Sequence, residues 1–427
     1  MRSTYIPRPM TPAARIQAAI DILEGLGSSR LPADRFIRDF FRARRYAGSK
    51  DRASVTERVY DVFRHRASFA ARMSSDTPRS LVVASLLAEG VADVSPLFTG
   101  DGYGPAVLSD AERAAIVSPP ASTTPAHVKG EYPEFLESEI QRAFGAAALD
   151  EMMAMQSRAP VDLRVNSLSA TRESVIEALT AEGFEAQPTR YSPFGVRIPT
   201  AKGLAGLQQS KLFLSGAFEF QDEAAQIAVM LAGAKPSTKV LDLAAGAGGK
   251  SLALAASMRD IGEITAHDID EGRLRQIAPR AHRAGITIIQ THAGPKPPGR
   301  PYDLVFLDAP CSGSGTWRRQ PENKWRLTPE RLEELNALQD KLLDQAAARA
   351  AGKARIVYAT CSILPRENED RIAAFLERHP TFKVQPAAQR WRDATDADPP
   401  PGTDTFFKAT PLSTGTDGFF TAILARA

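Results

Sequence analysis

Beyond residue 211 short, solid apolar runs alternate with longer stretches in which apolar residues recur every three to four positions. The run Leu304 to Leu307 within 302–307 reads as a buried parallel strand, 355–359 as another short apolar strand, and 239–243, 263–267 and 287–290 as further strands. The stretches 221–232, 249–258, 271–284, 329–351 and 366–378 read as helices. Alternation of this length predicts an α/β domain built on a doubly wound, mostly parallel sheet. A last strand follows the tight turn at Asp417-Gly418 and runs through Phe419, Phe420 and Leu424.

The first 125 residues carry a different pattern. Pro12 opens a helix whose Ile16, Ile20 and Leu23 share one face before Gly25 and Gly27 end it. A second helix over 32–45 has the stripe Phe36, Phe40 and Phe41, and Ser54 with Glu57 forms a capping-box pattern for a third through Val55, Val59 and Val62. Thr77-Pro78 opens a fourth, Ser109 and Glu112 cap a short fifth, and Pro119-Pro120 closes the region. Residues 126–210 mix helices near 133–145, 147–157 and 171–182 with an alternating strand at 161–166 and short strands around Phe184 and Val196. The expected organisation is an all-α domain at 1–125, a small α+β domain at 126–210 and the α/β domain at 211–427.

Length agrees, since 427 residues exceed what one core accommodates. Two cysteines make no disulfide framework, and no Cys/His spacing calls for a metal. No run of 18 apolar residues exists, and an amino terminus with Pro7, Pro9 and Pro12 lacks the apolar core of a signal peptide, so a cytoplasmic protein without a membrane span is expected. The net charge of +3 is unevenly spread: residues 1–72 hold 15 Lys and Arg against 7 Asp and Glu, a surplus of +8, which leaves −5 for the rest. Arg35, Arg38, Arg42, Arg44 and Arg45 interleave with the phenylalanines of the second helix. A basic head of this kind suits a polyanion, although a solvated helical face has the same composition.

The chemistry-bearing residues follow strands. After 302–307 the chain breaks into Asp308-Ala309-Pro310-Cys311-Ser312-Gly313, and after 355–359 into Thr360-Cys361-Ser362. In a parallel sheet ligands bind beyond the carboxyl ends of the strands, and neighbouring strands lie roughly 4.8 Å apart, so adjacency would put both thiols and Asp308 on one edge. A third loop, Ala244-Ala245-Gly246-Ala247-Gly248-Gly249-Lys250-Ser251, leads from 239–243 into a helix. It nearly spells a phosphate-binding P-loop, which needs glycine where Ala244 stands, and 304–308 imitates the acidic strand of such NTPases. Against that reading Asp268 closes the next strand, the place from which a carboxylate binds the ribose hydroxyls of an adenosine ligand.

These pieces together resemble the RsmB/Sun family of RNA 5-methylcytosine methyltransferases. The resemblance rests on Gln221-Asp222-Glu223-Ala224-Ala225-Gln226, Gly248-Gly249-Lys250, the Asp308 to Gly315 loop, Thr360-Cys361-Ser362, Glu367-Asn368-Glu369 and Asp417-Gly418-Phe419-Phe420, with Arg164-Val165-Asn166 ahead of them. The helical head resembles the family's NusB-like RNA-binding domain. The resemblance implies a Rossmann-like sheet that binds S-adenosylmethionine, with Cys361 as nucleophile, Cys311 assisting product release and Asp308 on the cytosine ring. It further implies Ala244, Gly246, Gly248, Gly249, Lys250, Asp268, Arg273 and Asp308 as cofactor-binding residues. RNA, ribosomal before transfer, is the implied partner of a monomeric enzyme. Two departures stand out: Ala247 replaces the family's proline, and Thr291-His292-Ala293 lacks the carboxylate usual after the third strand. A catalytically idle RNA-binding platform is the remaining alternative.

Overall fold

The computed structural model describes residues 10–117, 124–199 and 204–426; Pro7, Pro9, Pro119 and Pro120 lie outside them. The chain forms two compact units, one made of 1–138, 146–156 and 320–326, the other of 139–145, 157–319 and 327–427.

The first unit is helical. Helices Pro12–Ser28, Ala33–Arg42, Ser49–Arg64, Arg66–Met73 and Pro78–Ala88 bury Ile16, Ile20, Ile37, Phe41, Val55, Val59, Val62 and Val82 against one another. The first helix runs through Gly25 and Gly27 instead of ending there. A Cβ added at Gly25 would stand 2.4 Å from Phe36 Cζ, so this glycine serves a close helix crossing and not a stop. The third helix starts five residues before Ser54, because Asp51 Oδ2 accepts hydrogen bonds from the backbone N–H of Gly48 and Met10, both at 3.2 Å; Ser54 and Glu57 lie in its interior. Thr77 and Ser109 cap as expected: Thr77 Oγ1 accepts from Ser80 N at 3.2 Å and Ser109 Oγ from Glu112 N at 3.2 Å. The second helix ends at Arg42 and not at 45, so Arg44 and Arg45 lie beyond it; the Arg44 guanidinium lies 3.6 Å from the centre of the Phe40 ring, Arg42 pairs with Asp39, and Arg35 and Arg45 are exposed.

The second unit contains two sheets. Strands β1 (Val161–Val165), β2 (Gln187–Pro188), β3 (Gly195–Ile198) and β4 (Phe218–Phe220) form an antiparallel sheet in the order β2-β3-β1-β4. Phe184 lies outside any strand; it packs with Leu163, Val165, Val175 and Phe218 in the core of this sheet. The large sheet contains β5 (Lys239–Leu243), β6 (Glu263–Asp268), β7 (Ile289–Ala293), β8 (Tyr302–Asp308), β9 (Ala350–Thr360), β10 (Phe382–Gln385), β11 (Phe407–Ala409) and β12 (Phe419–Arg426). Its order is β10-β12-β9-β8-β5-β6-β7, with β11 beside β12. Strands β5 to β9 are parallel and the remaining pairs antiparallel. The α/β, Rossmann-like class expected from the alternation is therefore present.

Burial on both faces explains the solid apolar runs. Val240, Ile264, Leu304, Phe306 and Val357 pack against the helices of one layer, and Leu241, Leu243, Val305, Leu307, Ile356 and Tyr358 against those of the other. Strand order reverses between β5 and β8, and the crevice at such a switch point is where these sheets hold ligands. The expected helix over 271–284 is two, Glu271–Leu274 and Ile277–Ala284, with Asp270 capping the first. Among the described residues no helix is long and apolar enough to cross a membrane, and no group of three His, Cys, Asp or Glu is placed to hold a metal.

Candidate active site

Strands β8 and β9 are parallel neighbours, with Asp308 opposite Ala359, and Ala309 N donates to Ala359 O at 2.8 Å to extend the ladder by one residue. Beyond it both chains leave the sheet. Cys311 and Cys361 then face each other with 3.5 Å between sulfurs, both partly exposed. Lys250, in the first turn of the helix Gly249–Ser257, donates to Asp308 Oδ2 at 2.6 Å, and its Nζ lies 5.4 Å from the centre of the Phe419 ring. The sheet thus brings Lys250, Asp308, Cys311 and Cys361 together from three strand ends.

The local electrostatics divide these groups. Burial disfavours the charge on Lys250, but the adjacent Asp308 carboxylate outweighs it and holds the ammonium above its usual range. The Cys311 thiol is pushed well above the ordinary value by its hydrogen bond to Cys361, then by burial, and then by the charges of Cys361 and Glu367.

The glycine loop takes its shape from left-handed backbone. Ala244, Gly246 and Gly248 have φ of 70°, 56° and 79°; the alanine adopts this region at a cost of roughly 1–2 kcal/mol. The positive φ favours glycine at 246 and 248, and at Gly248 a Cβ would also stand 2.7 Å from Ile277 Cγ1 in the packed helix behind the loop. Asp268 is buried beside the loop; its Oδ2 accepts from Gly246 N at 2.8 Å, its Oδ1 from Asp270 N at 2.9 Å, and Arg273 Nη1 lies 3.9 Å away. Each carboxylate oxygen retains a lone pair for a hydroxyl. The P-loop alternative fits poorly. A P-loop lysine and serine serve phosphate and magnesium, whereas here Lys250 is engaged by Asp308 and the fully buried Ser251 donates to Asp242 Oδ2 at 2.5 Å. At the end of β7 the half-buried His292 pairs with His267, Nδ1 to Nδ1 at 3.4 Å, and no carboxylate stands there.

Two groups escaped sequence reasoning. Asp242 is completely buried in β5 and burial pushes its carboxyl up to about 7; its Oδ1 has no hydrogen-bond partner among the described residues. Its signal in the sequence is a lone carboxylate inside the run Val240-Leu241-Asp242-Leu243. Glu367, also completely buried, accepts at Oε1 from Ser312 N at 2.8 Å and Gln339 Nε2 at 3.0 Å, and at Oε2 from the hydroxyls of Ser312 and Ser362, both at 2.5 Å. In the sequence it stands out only as part of a family signature.

Residues 228–425 match the family described as 16S rRNA methyltransferase RsmB/F, and residues 132–204 the ferredoxin-like domain of RsmF/B-like methyltransferases. The probable ribosomal RNA small subunit methyltransferase B of Synechocystis sp. is 32% identical over 262 residues, 60% of this chain and 58% of that protein. The ribosomal RNA small subunit methyltransferase B of Photorhabdus laumondii is 31% identical over 300 residues, 69% of this chain and 66% of that protein. These matches span 58% and 66% of the curated relatives' own length. Among solved structures, PH0851 superposes with a TM-score of 0.74 at 26% identity, covering 97% of this chain and 99% of that one. NSun6 from Pyrococcus horikoshii, solved with SFG, shares the fold at a TM-score of 0.60 and 19% identity, over 69% of this chain and 98% of that one.

Proposed function

From a chain that belongs to the RsmB/F methyltransferase family through residues 228–425, with the family's ferredoxin-like domain at 132–204, we propose an S-adenosylmethionine-dependent RNA cytosine-5 methyltransferase acting through a cysteine adduct. The observation that carries this reading is the pair of sulfurs 3.5 Å apart at adjacent strand ends, beside the Lys250–Asp308 ion pair.

Carbon 5 of cytosine is a poor nucleophile until a group adds to carbon 6, and a thiolate is suited to that addition. We assign the attack to Cys361, which stands where the family's Thr-Cys-Ser signature falls, at the end of β9, with its sulfur 3.5 Å from that of Cys311. Lys250 and Asp308 hold a proton between them where the charge displaced onto ring nitrogen 3 collects; assistance of this kind contributes typically 10²- to 10⁴-fold. Once Cys361 is bonded to carbon, its hydrogen bond and its charge no longer raise the Cys311 thiol, which can then ionise, its proton going to water. The Cys311 thiolate then removes the carbon 5 proton, and the electron pair released expels Cys361 as the carbon–sulfur bond breaks. S-adenosylmethionine supplies the electrophilic methyl group. The residues suited to hold it are Asp268, with a free lone pair on each oxygen, the backbone of Ala244 to Gly249, Lys250 and Arg273. An RNA substrate fits a site that takes an unstacked base, and the basic first 72 residues support it, with ribosomal RNA as the family's substrate and transfer RNA as the alternative.

A nucleophile and a releasing base fail differently, and that difference tests the roles. Cys361→Ala should bind RNA reversibly and transfer no methyl group. Cys311→Ala, given RNA and S-adenosylmethionine, should stall as a protein–RNA adduct that survives denaturing electrophoresis, and the double variant should form none. An adduct with Cys361→Ala and none with Cys311→Ala would reverse the assignment; full activity in both would remove the mechanism.

A further inference from the structure

The four donors on Glu367 include the residue following each thiol: Ser312 after Cys311, through its backbone N–H and its hydroxyl, and Ser362 after Cys361, through its hydroxyl. The fourth, Gln339 Nε2, also donates to Pro310 O at 2.9 Å, one residue before Cys311. The carboxyl is itself held in place. Glu367 O accepts from the buried Tyr358 hydroxyl at 2.6 Å, and Asn368 joins Thr360 Oγ1 at 2.6 Å to Ser362 O at 2.9 Å. A carboxyl with no solvent exposure costs several kcal/mol to desolvate, and four convergent donors offset that cost. Packing alone would be served as well by an apolar side chain.

We propose that Glu367 is a positioning residue for the two-thiol chemistry, the buried tie that sets the separation of the Cys311 and Cys361 sulfurs. This rests on the reading of both cysteines as reacting groups. The loops have other links: Gly315 N to Cys361 O at 2.9 Å and Ser314 Oγ to Ser362 Oγ at 2.9 Å join the stretch of chain beyond Ser312, and Ser312 Oγ reaches Ser362 Oγ directly only at 3.5 Å, the long limit of a hydrogen bond. Only Glu367, among the described residues, reaches the residue after each thiol with one carboxyl. Its charge also bears on Cys311, whose thiol it helps to keep protonated. Shape and charge therefore make separate contributions, and substitution separates them. Glu367→Gln keeps the length and removes the charge, with the two serine hydroxyls turning to accept from the amide. Glu367→Ala removes both. Glu367→Asp keeps the charge but is one methylene too short to span the loops.

The test measures thiol geometry apart from methyl transfer. A disulfide needs sulfurs about 2.05 Å apart, so a pair already 3.5 Å apart closes quickly when a diazene oxidant takes up both thiol protons and both electrons. In wild type, closure of Cys311 to Cys361 should be fast by alkylation and intact mass. Glu367→Ala should close at least about tenfold more slowly. Its kcat on RNA should fall about 10²-fold, the expected cost of a 1 Å misplacement, with KM for S-adenosylmethionine unchanged. Glu367→Gln should close at the wild-type rate, while Cys311 is alkylated at lower pH. Should Glu367→Ala not fold, Glu367→Asp carries the test and is expected to close slowly with a wild-type alkylation profile. Wild-type closure rates in both shortened variants would overturn the proposal. Slow closure in variants of a wild type that itself transfers no methyl group would overturn the underlying two-thiol reading instead.

Discussion

Asp242 stores a pH dependence in the middle of the sheet. Its carboxyl is fully buried and lies at about 7, against 3.8 for an ordinary aspartate, because burial penalises the charged form. Ser251 lowers the value and Lys250 does the same, while Asp308 and Asp268 raise it. Between pH 4 and pH 7 the unfolded chain has released this proton and the folded chain retains it, so the group stabilises the fold at acid pH and that contribution is lost as pH rises to about 7. A displacement of about three units at 1.36 kcal/mol each amounts to roughly 4 kcal/mol across the window. Asp242→Asn removes the titration and keeps an oxygen for the Ser251 hydroxyl. The assay is hydrogen exchange of the β5 amides from pH 4.5 to 7.5, corrected for intrinsic rates. Wild-type opening free energy should decline through this range relative to Asp242→Asn, and the two curves should run parallel above it. Parallel curves throughout would mean that Asp242 is ionised in the folded protein and that its unpartnered Oδ1 meets a donor.

Two further substitutions probe the binding surfaces. Asp268→Ala should weaken S-adenosylmethionine by about 1.5–3 kcal/mol, the contribution of hydrogen bonds to a charged group, and leave RNA affinity unchanged; normal cofactor binding by calorimetry would place the ribose elsewhere. Replacing Arg42, Arg44 and Arg45 together should weaken RNA binding and flatten its salt dependence, by about 0.7 in slope for each phosphate of a single strand that is no longer neutralised, with cofactor affinity intact. An unchanged slope would make these arginines an ordinary solvated face.

Most of the architecture was legible because it is written in periodicity. The strands β8 and β9 are covered on both faces, so Leu304 to Leu307 and Ile356 to Ala359 are solidly apolar and stand out, and Asp308, Cys311 and Cys361 follow them where the chain must leave the sheet. The strands β2, β4, β10 and β11 span two to four residues each, too short to show a period. Gly25 reads as a stop because local propensity disfavours glycine in a helix, and only the Phe36 ring packed against it explains its presence there. The pairing of strands decided the rest. The chemistry of Cys311 and Cys361 was visible as residue types, but their 3.5 Å separation depends on β8 lying beside β9, a pairing of segments 50 residues apart. The role of Glu367 is further removed still. A buried carboxyl is tolerable only where donors converge on it, and those donors come from positions 312, 339 and 362, which no local pattern connects.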